Sequence, residues 1–187
     1  EDGVMSAMSY LAIGHPAFDT LPDGTKALGG TAVYAAITAA RLGLDAHALL
    51  AASAGDMDQY QGLLSGVQVR LQESPASTVM ELFKVNGKRE IRVNSWAGEM
   101  SLDDLPAADV VHYGPIAREF EAGQLKRPRS ARFVGITMQG MFRTWNLGEY
   151  YTKFAPAGLE AMAGVVDAAV VSESEEEFAK PGLDAIV

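Results

Sequence analysis

The strongest constraint on the fold of this chain is a set of short runs that are apolar at nearly every position and do not alternate. Tyr10-Leu11-Ala12-Ile13 stops at Gly14, and residues 46–52 form a second run. Val110-Val111-His112-Tyr113, Phe133-Val134-Gly135-Ile136 and residues 168–171 follow. A strand with one wet face alternates apolar and polar residues; a strand covered on both faces does not. These runs therefore predict a buried, mainly parallel sheet. The segments between them, notably 31–42 and 57–64, carry the helical crossovers that parallel strands require, so the class is α/β. With 187 residues, 48% of them hydrophobic, a single domain spanning 1–187 can hold a full core.

One segment departs from that rhythm. Residues 78–85 and 88–95 are strand-like and are separated by Asn86-Gly87, a dipeptide whose tolerance of positive φ makes it a strong two-residue hairpin signal. A two-residue turn sets the register. Leu82 faces Ile91 and Met80 faces Val93 on an apolar side, while Glu81 faces Arg92 and Phe83 faces Glu90 on a charged one. Such a hairpin, about residues 76–96, either lies over the α/β body as a lid or extends an antiparallel edge. At the other end, Ala185-Ile186-Val187 reads as the opening of a buried strand, and a strand cut at its third residue points to a truncated polypeptide.

Charge and composition narrow the function. The net charge is −9, the wrong sign for a surface that neutralises nucleic-acid phosphates or docks on anionic lipid. There is no cysteine, so thiol nucleophiles, Cys-ligated zinc and disulfides are excluded. No apolar run approaches the ~18 residues of a membrane span, and residues 5–13 lack the basic flank of a signal peptide. The expectation is a cytoplasmic protein with no nucleic-acid or membrane partner. Neither a phosphate-binding Gly-x4-Gly-Lys loop nor a Gly-x-Gly-x2-Gly dinucleotide fingerprint occurs. His15, His47 and His112 are far apart in sequence and read as satisfied side chains, not as ligands or bases.

Three places are candidates for chemistry. In residues 28–43, LGGTAVYAAITAARLG, two glycines precede a helix of small residues. Glycines let backbone approach a ligand and free N–H groups at a helix start attract oxygen, although the same pattern also serves as a packing turn. Asp19 ends an early apolar stretch and can accept hydrogen bonds from two adjacent hydroxyls; it equally suits an Asx turn, since Pro22-Asp23-Gly24 follows. Ser172-Glu173-Ser174-Glu175 places a carboxylate after a strand, and the same residues suit a helix cap.

In their order and spacing these segments resemble the ribokinase/PfkB carbohydrate kinases. Gly29-Gly30 and the close Ala40-Arg41-Leu42-Gly43 look like the family's first signature. Phe18-Asp19 is similar to its substrate aspartate, Ala54-Gly55-Asp56 to its Gly-Asp after the second strand, and Tyr113-Gly114-Pro115-Ile116 to its substrate-facing strand end. Ser172 and Glu175 resemble its Asn-x-x-Glu, with serine in place of asparagine. Tyr34, where the family often has asparagine, and Gln139 followed by Arg143 look more like the inositol-kinase-like branch, so a polyol or a sugar other than ribose is implied.

The resemblance implies a three-layer α/β sandwich with a small β lid. It implies an acceptor site at Asp19, Gly29, Gly30, Thr31, Tyr34, Gly114 and Gln139, and a magnesium-site carboxylate at Glu175. The family draws its catalytic base and anion hole from a C-terminal Gly-Ala-Gly-Asp, which these 187 residues do not contain. No catalytic residue is therefore expected here. ATP and magnesium are expected for the complete enzyme but not as tight ligands of this chain. A homodimer through the lid or an exposed sheet edge is also implied. Three readings stand: a kinase seen as an incomplete chain, a non-catalytic sugar- or polyol-binding module, and a generic α/β domain.

Overall fold

The computed structural model of the chain describes residues 7–186. The chain starts with β1 (Ser9–Gly14), then crosses into a short hairpin of β2 (Ala17–Thr20) and β3 (Lys26–Gly29). Helix α1 (Thr31–Arg41) returns it to β4 (Asp45–Ala52). A short helix α2 (Ala54–Met57) and a 3-10 turn (Asp58–Tyr60) lead to β5 (Val67–Glu73). The hairpin β6 (Thr78–Val85) and β7 (Lys88–Ser95) follows, then β8 (Val110–Tyr113), β9 (Phe133–Thr137), the two-residue strands β10 (Arg143–Thr144) and β11 (Thr152–Lys153), β12 (Ala168–Val170) and helix α3 (Glu176–Ile186).

Among the described residues, six strands form a central sheet in the order β12-β9-β8-β1-β4-β5, with every pairing parallel. Four of the five apolar runs supply its middle, and the fifth, residues 168–171, gives the edge strand β12, where Val170 is exposed. Leu11 and Ile13 of β1 face one core with Leu49, Val111, Val134 and Ile136; Ala12 faces the other with Ala48 and Leu50. Both faces of β1 are thus apolar because both are covered. On the second face Ala32 and Ala36, fully buried, bring α1 close to β1 and β4. Helix α1 ends in a Schellman arrangement: Gly43 N–H donates to Ala40 O at 3.0 Å and Leu44 N–H to Ala39 O at 3.1 Å, with Gly43 at φ 82°. Gly43→Ala should lower stability by about 1 kcal/mol, read as a melting temperature about 2–4 °C lower.

A second sheet, β3-β2-β6-β7, is separate from the first. The Asn86-Gly87 turn has φ 50° and 77°, and the pairs Leu82–Ile91, Met80–Val93, Glu81–Arg92 and Phe83–Glu90 form as the turn dictates. Met80, Leu82, Ile91 and Val93 are buried, and most of them pack with Ala17, Ile116 and Ala117. The hairpin is therefore a lid over the body. The lid has a second half, β2 and β3, whose four-residue strands carry too little pattern to announce themselves.

Two expected elements differ. Residues 57–64 are not one helix; the helix starts earlier, at Ala54, and breaks into a 3-10 turn and bends that seat Tyr60 and Leu64 in the α1-side core. Ala185 and Ile186 do not open a strand but end α3, and Val187 lies outside the described residues. Ala179, Leu183 and Ile186, spaced four and three apart, lie on one helical face against the larger core, which is why a short apolar run misled the reading.

Candidate acceptor site

The lid and the central sheet line a half-open cavity of about 550 Å³ at the carboxyl ends of the strands, a size in the range of small-molecule sites. Sheet alternation on β2 sends Phe18 to one side, edge-on to Tyr60, and Ala17 and Asp19 to the cavity side. Asp19 is held centrally, paired with Ala27 of β3 and Met80 of β6.

Gly29 and Gly30 explain themselves by space. A Cβ at Gly29 would stand 2.8 Å from Asp19 Oδ2, so a side chain there would push the carboxylate aside. At Gly30, φ is 109° and a Cβ would meet His15 O at 2.5 Å. No L side chain fits there without moving the β1–β2 link. Immediately after it α1 begins, with its first backbone N–H groups free of helical partners and Thr31 and Tyr34 on the cavity wall. The Tyr34 hydroxyl donates to Leu28 O at 2.7 Å. Because the clash at Gly29 is with a movable carboxylate, Gly29→Ala should cost less than about 1 kcal/mol of stability while weakening the binding of any ligand held at Asp19 about tenfold. Parallel melting and titration check both halves of that statement.

From the opposite wall come Gln139 and Arg143. Both follow β9, in and just after a 3-10 turn (Met138–Phe142). Arg143 is 4% exposed; its Nη1 donates to Ile116 O at 2.7 Å and its guanidinium lies 4.9 Å from the Tyr151 ring centre. Lys84 reaches in from the lid. The site therefore combines one carboxylate, two cations, an amide and an apolar floor of Met80, Leu82, Ile91 and Ile116.

Of the residues expected from sequence, Asp19, Gly29, Gly30, Thr31, Tyr34 and Gln139 line this one cavity. Gly114 sits a layer beneath: a Cβ there would meet Ala32 N and Thr31 Cγ2 at 3.0 Å each, and its N–H donates to Ile13 O at 2.8 Å. It lets α1 start directly on the strand ends. Glu175 lies elsewhere and closes a capping box, accepting from Ser172 Oγ at 2.8 Å with Lys153 Nζ at 3.9 Å.

Sequence reasoning missed Lys84 and Tyr60. Tyr60 is fully buried, its hydroxyl donating to Ala17 O and accepting from Gly29 N–H at 3.2 Å, so it pins β2 to β3 at the Ala17–Gly29 pair, two residues from Asp19. Burial pushes its phenol above the usual range. No local signal marks it, because its partners come from elsewhere in the chain.

The histidines are engaged. His15 is buried, Nδ1 2.8 Å from Thr78 Oγ1 and 3.9 Å from Glu119 Oε1. His112 lies between the Tyr10 hydroxyl and Thr137 Oγ1. His47 meets Asp45 at 3.1 Å. Burial lowers the pKa of His15, against the opposing pull of Glu119, and burial also lowers that of His112. The folded state thus resists protonation that the unfolded chain accepts near pH 6.5. Stability should be full above about pH 6.5 and fall as pH drops from there. A melting series from pH 7.5 to 5.5 should show that decline; a flat series would contradict it.

No family model matches the sequence, and no curated protein matches it. Solved structures do. The chain superposes on a pyrophosphate-dependent kinase in the ribokinase family, complexed with a pyrophosphate analog and myo-inositol. The TM-score is 0.77 at 23% identity, over 95% of this chain and 66% of that one. A sugar kinase from Pyrococcus horikoshii gives a TM-score of 0.63 at 14% identity, over 95% of this chain and 67% of that one. A fructokinase from Vibrio cholerae with bound fructose, ADP and calcium ion gives 0.59 at 18%, over 96% and 67%. The chain has the ribokinase-like fold of carbohydrate kinases and spans 66% of the first neighbour's length.

Proposed function

We propose that this chain, built on the ribokinase-like fold, is the acceptor-binding part of a kinase that phosphorylates a hydroxyl of a sugar or polyol. The observation that carries the reading is the cavity itself, which gathers Asp19, the Gly29-Gly30 helix start and Gln139 under a β lid. Asp19 accepts hydrogen bonds from two neighbouring hydroxyls of the acceptor, a charge-assisted contact that fixes the ring's orientation. Glycines at 29 and 30 keep the carboxylate and the α1 start within reach of that ring. The lid's apolar face covers it and excludes water. Neighbours of the same fold bind myo-inositol or fructose, and the acceptor we propose is of that class.

ATP with magnesium is the donor proposed for the complete enzyme, in the cytoplasm; among the described residues no helix is long and apolar enough to cross a membrane. Some neighbours use pyrophosphate instead. Among the described residues, no three His, Cys, Asp or Glu side chains converge as metal ligands. Glu175, committed to its cap and facing Lys153, does not fit a magnesium site.

Catalysis needs a base and an anion hole for the moving phosphoryl group, and no Gly-Ala-Gly-Asp occurs in these 187 residues. The chain by itself should therefore give no phosphorylation above background in a coupled assay with ATP and a sugar panel. The second reading, a sugar- or polyol-binding module without catalysis, rests on the same cavity. Calorimetric titration with myo-inositol, fructose and ribose tests the shared claim: saturable binding to at least one supports it, and none at tens of millimolar opposes it. Self-association through the lid or the β12 edge of the sheet is also proposed; a constant monomer mass in light scattering across a concentration series would contradict it.

A further inference from the structure

Glu119 is fully buried, and its carboxylate receives backbone N–H groups from two separate parts of the chain. Ile116 N–H lies 2.8 and 2.9 Å from its two oxygens and Ala117 N–H 2.8 Å from Oε2. From the link between β1 and β2, His15 N–H reaches Oε1 at 3.1 Å. A carboxylate buried with this much hydrogen bonding is costly to remove and fixes what it holds.

What it holds is the junction between lid and body. His15 is the point where the chain leaves the central sheet for β2, and its Nδ1 meets Thr78 Oγ1 at the foot of β6. That hydroxyl oxygen accepts from Ala97 N–H at 3.1 Å, where the chain leaves β7. Met100 N–H then donates to the Glu119 carbonyl at 2.7 Å. On the cavity side, Ile116 O takes the Arg143 Nη1 hydrogen bond and Ala117 O takes Trp96 Nε1–H, each at 2.7 Å. The β1–β2 crossing and one wall of the cavity therefore meet the Glu119 carboxylate directly, and the crossings at Thr78 and Ala97 connect to it through the His15 ring.

We propose that Glu119 is a positioning residue for the acceptor cavity: it sets the seating of the lid and the placement of Ile116 and Arg143 without touching the acceptor. The inference rests on the reading of the cavity as an acceptor site for its binding consequence, but not for its effect on the lid. Loss of a residue that merely stabilised the fold would raise amide exchange everywhere, in step with the fall in melting temperature. Loss of Glu119 as a positioning residue raises it locally.

The test is amide hydrogen exchange on the whole chain, well below the melting temperature, for wild type and Glu119→Gln, with polyol titration alongside. In Glu119→Gln, amides of the β6–β7 ladder and of residues 115–117 should exchange at least tenfold faster, with the β1–β4 ladder unchanged, and polyol affinity should fall about tenfold. Should Glu119→Gln not fold, Thr78→Val, which cuts the outer link at near-constant shape, should speed exchange at Ala97 and the lid severalfold. Uniform acceleration, or none in the lid, overturns the proposal. A wild type that binds no polyol overturns the acceptor-site reading instead, and the exchange data still decide the role of Glu119.

Discussion

Asp19→Asn should weaken acceptor binding on the order of 100-fold while leaving the protein folded. The substitution keeps the shape of the side chain but replaces an accepting oxygen with an NH2 group. Two charge-assisted hydrogen bonds to adjacent hydroxyls are then lost or reversed. Hydrogen bonds to a charged group contribute about 1.5–3 kcal/mol each, so the expected loss is about 3 kcal/mol, or on the order of 100-fold in affinity. Asp19 is half-buried on the cavity side of β2, so stability should change by less than about 1 kcal/mol. Calorimetry on the variant, with a melting curve to show that it is folded, gives both quantities. An affinity within threefold of wild type would remove Asp19 from the site.

The largest effect on stability should come from Gly140→Ala. A Cβ there would stand 2.3 Å from Pro115 C and 2.4 Å from Ile116 N, all rigid backbone. Gly140 also exchanges hydrogen bonds across that contact: its N–H donates to Pro115 O at 3.0 Å and its carbonyl accepts from Arg118 N–H at 3.2 Å. The two segments that carry Gln139 and Ile116 therefore approach as closely as bare backbone permits, and one methyl must drive them apart. Overpacking of this kind costs about 3 kcal/mol, seen as a melting temperature lower by about 6–12 °C in a chain of this size. Because the shift displaces a cavity wall, acceptor binding should weaken as well. Gly123→Ala is the control: it sits in a 3-10 turn (Ala122–Gln124) with nothing within 4 Å of the added methyl, and should leave stability unchanged or raise it by about 0.5 kcal/mol.

Much of this arrangement was legible in residues whose partners are near in sequence. The all-apolar runs gave the parallel sheet because burial on both faces removes alternation, and Asn86-Gly87 gave the lid hairpin with its register. The glycines at 29 and 30 were visible as a ligand-or-packing signal; the structure shows the packing use, since they make room for Asp19 and for the His15 backbone. What stayed hidden depends on long-range geometry. The parallel pairing of β2 with β6 joins residues about sixty positions apart, and no local pattern encodes it. Tyr60, Lys84 and Glu119 reach their places only through the tertiary fold. The apolar residues at 185 and 186 suit a helix face as well as a strand, and the helical spacing back to Ala179 and Leu183 decided between them.

The most direct test of the acceptor site is a titration of the isotope-labelled chain with myo-inositol and with fructose, followed residue by residue in backbone amide shifts. Saturable shifts should be confined to Asp19, Gly29 to Thr31, the 80–84 stretch of the lid and Gln139. Shifts clustered instead around the separate cleft of about 400 Å³ between Trp96 and Trp145, or no saturable shift with either compound, would contradict it.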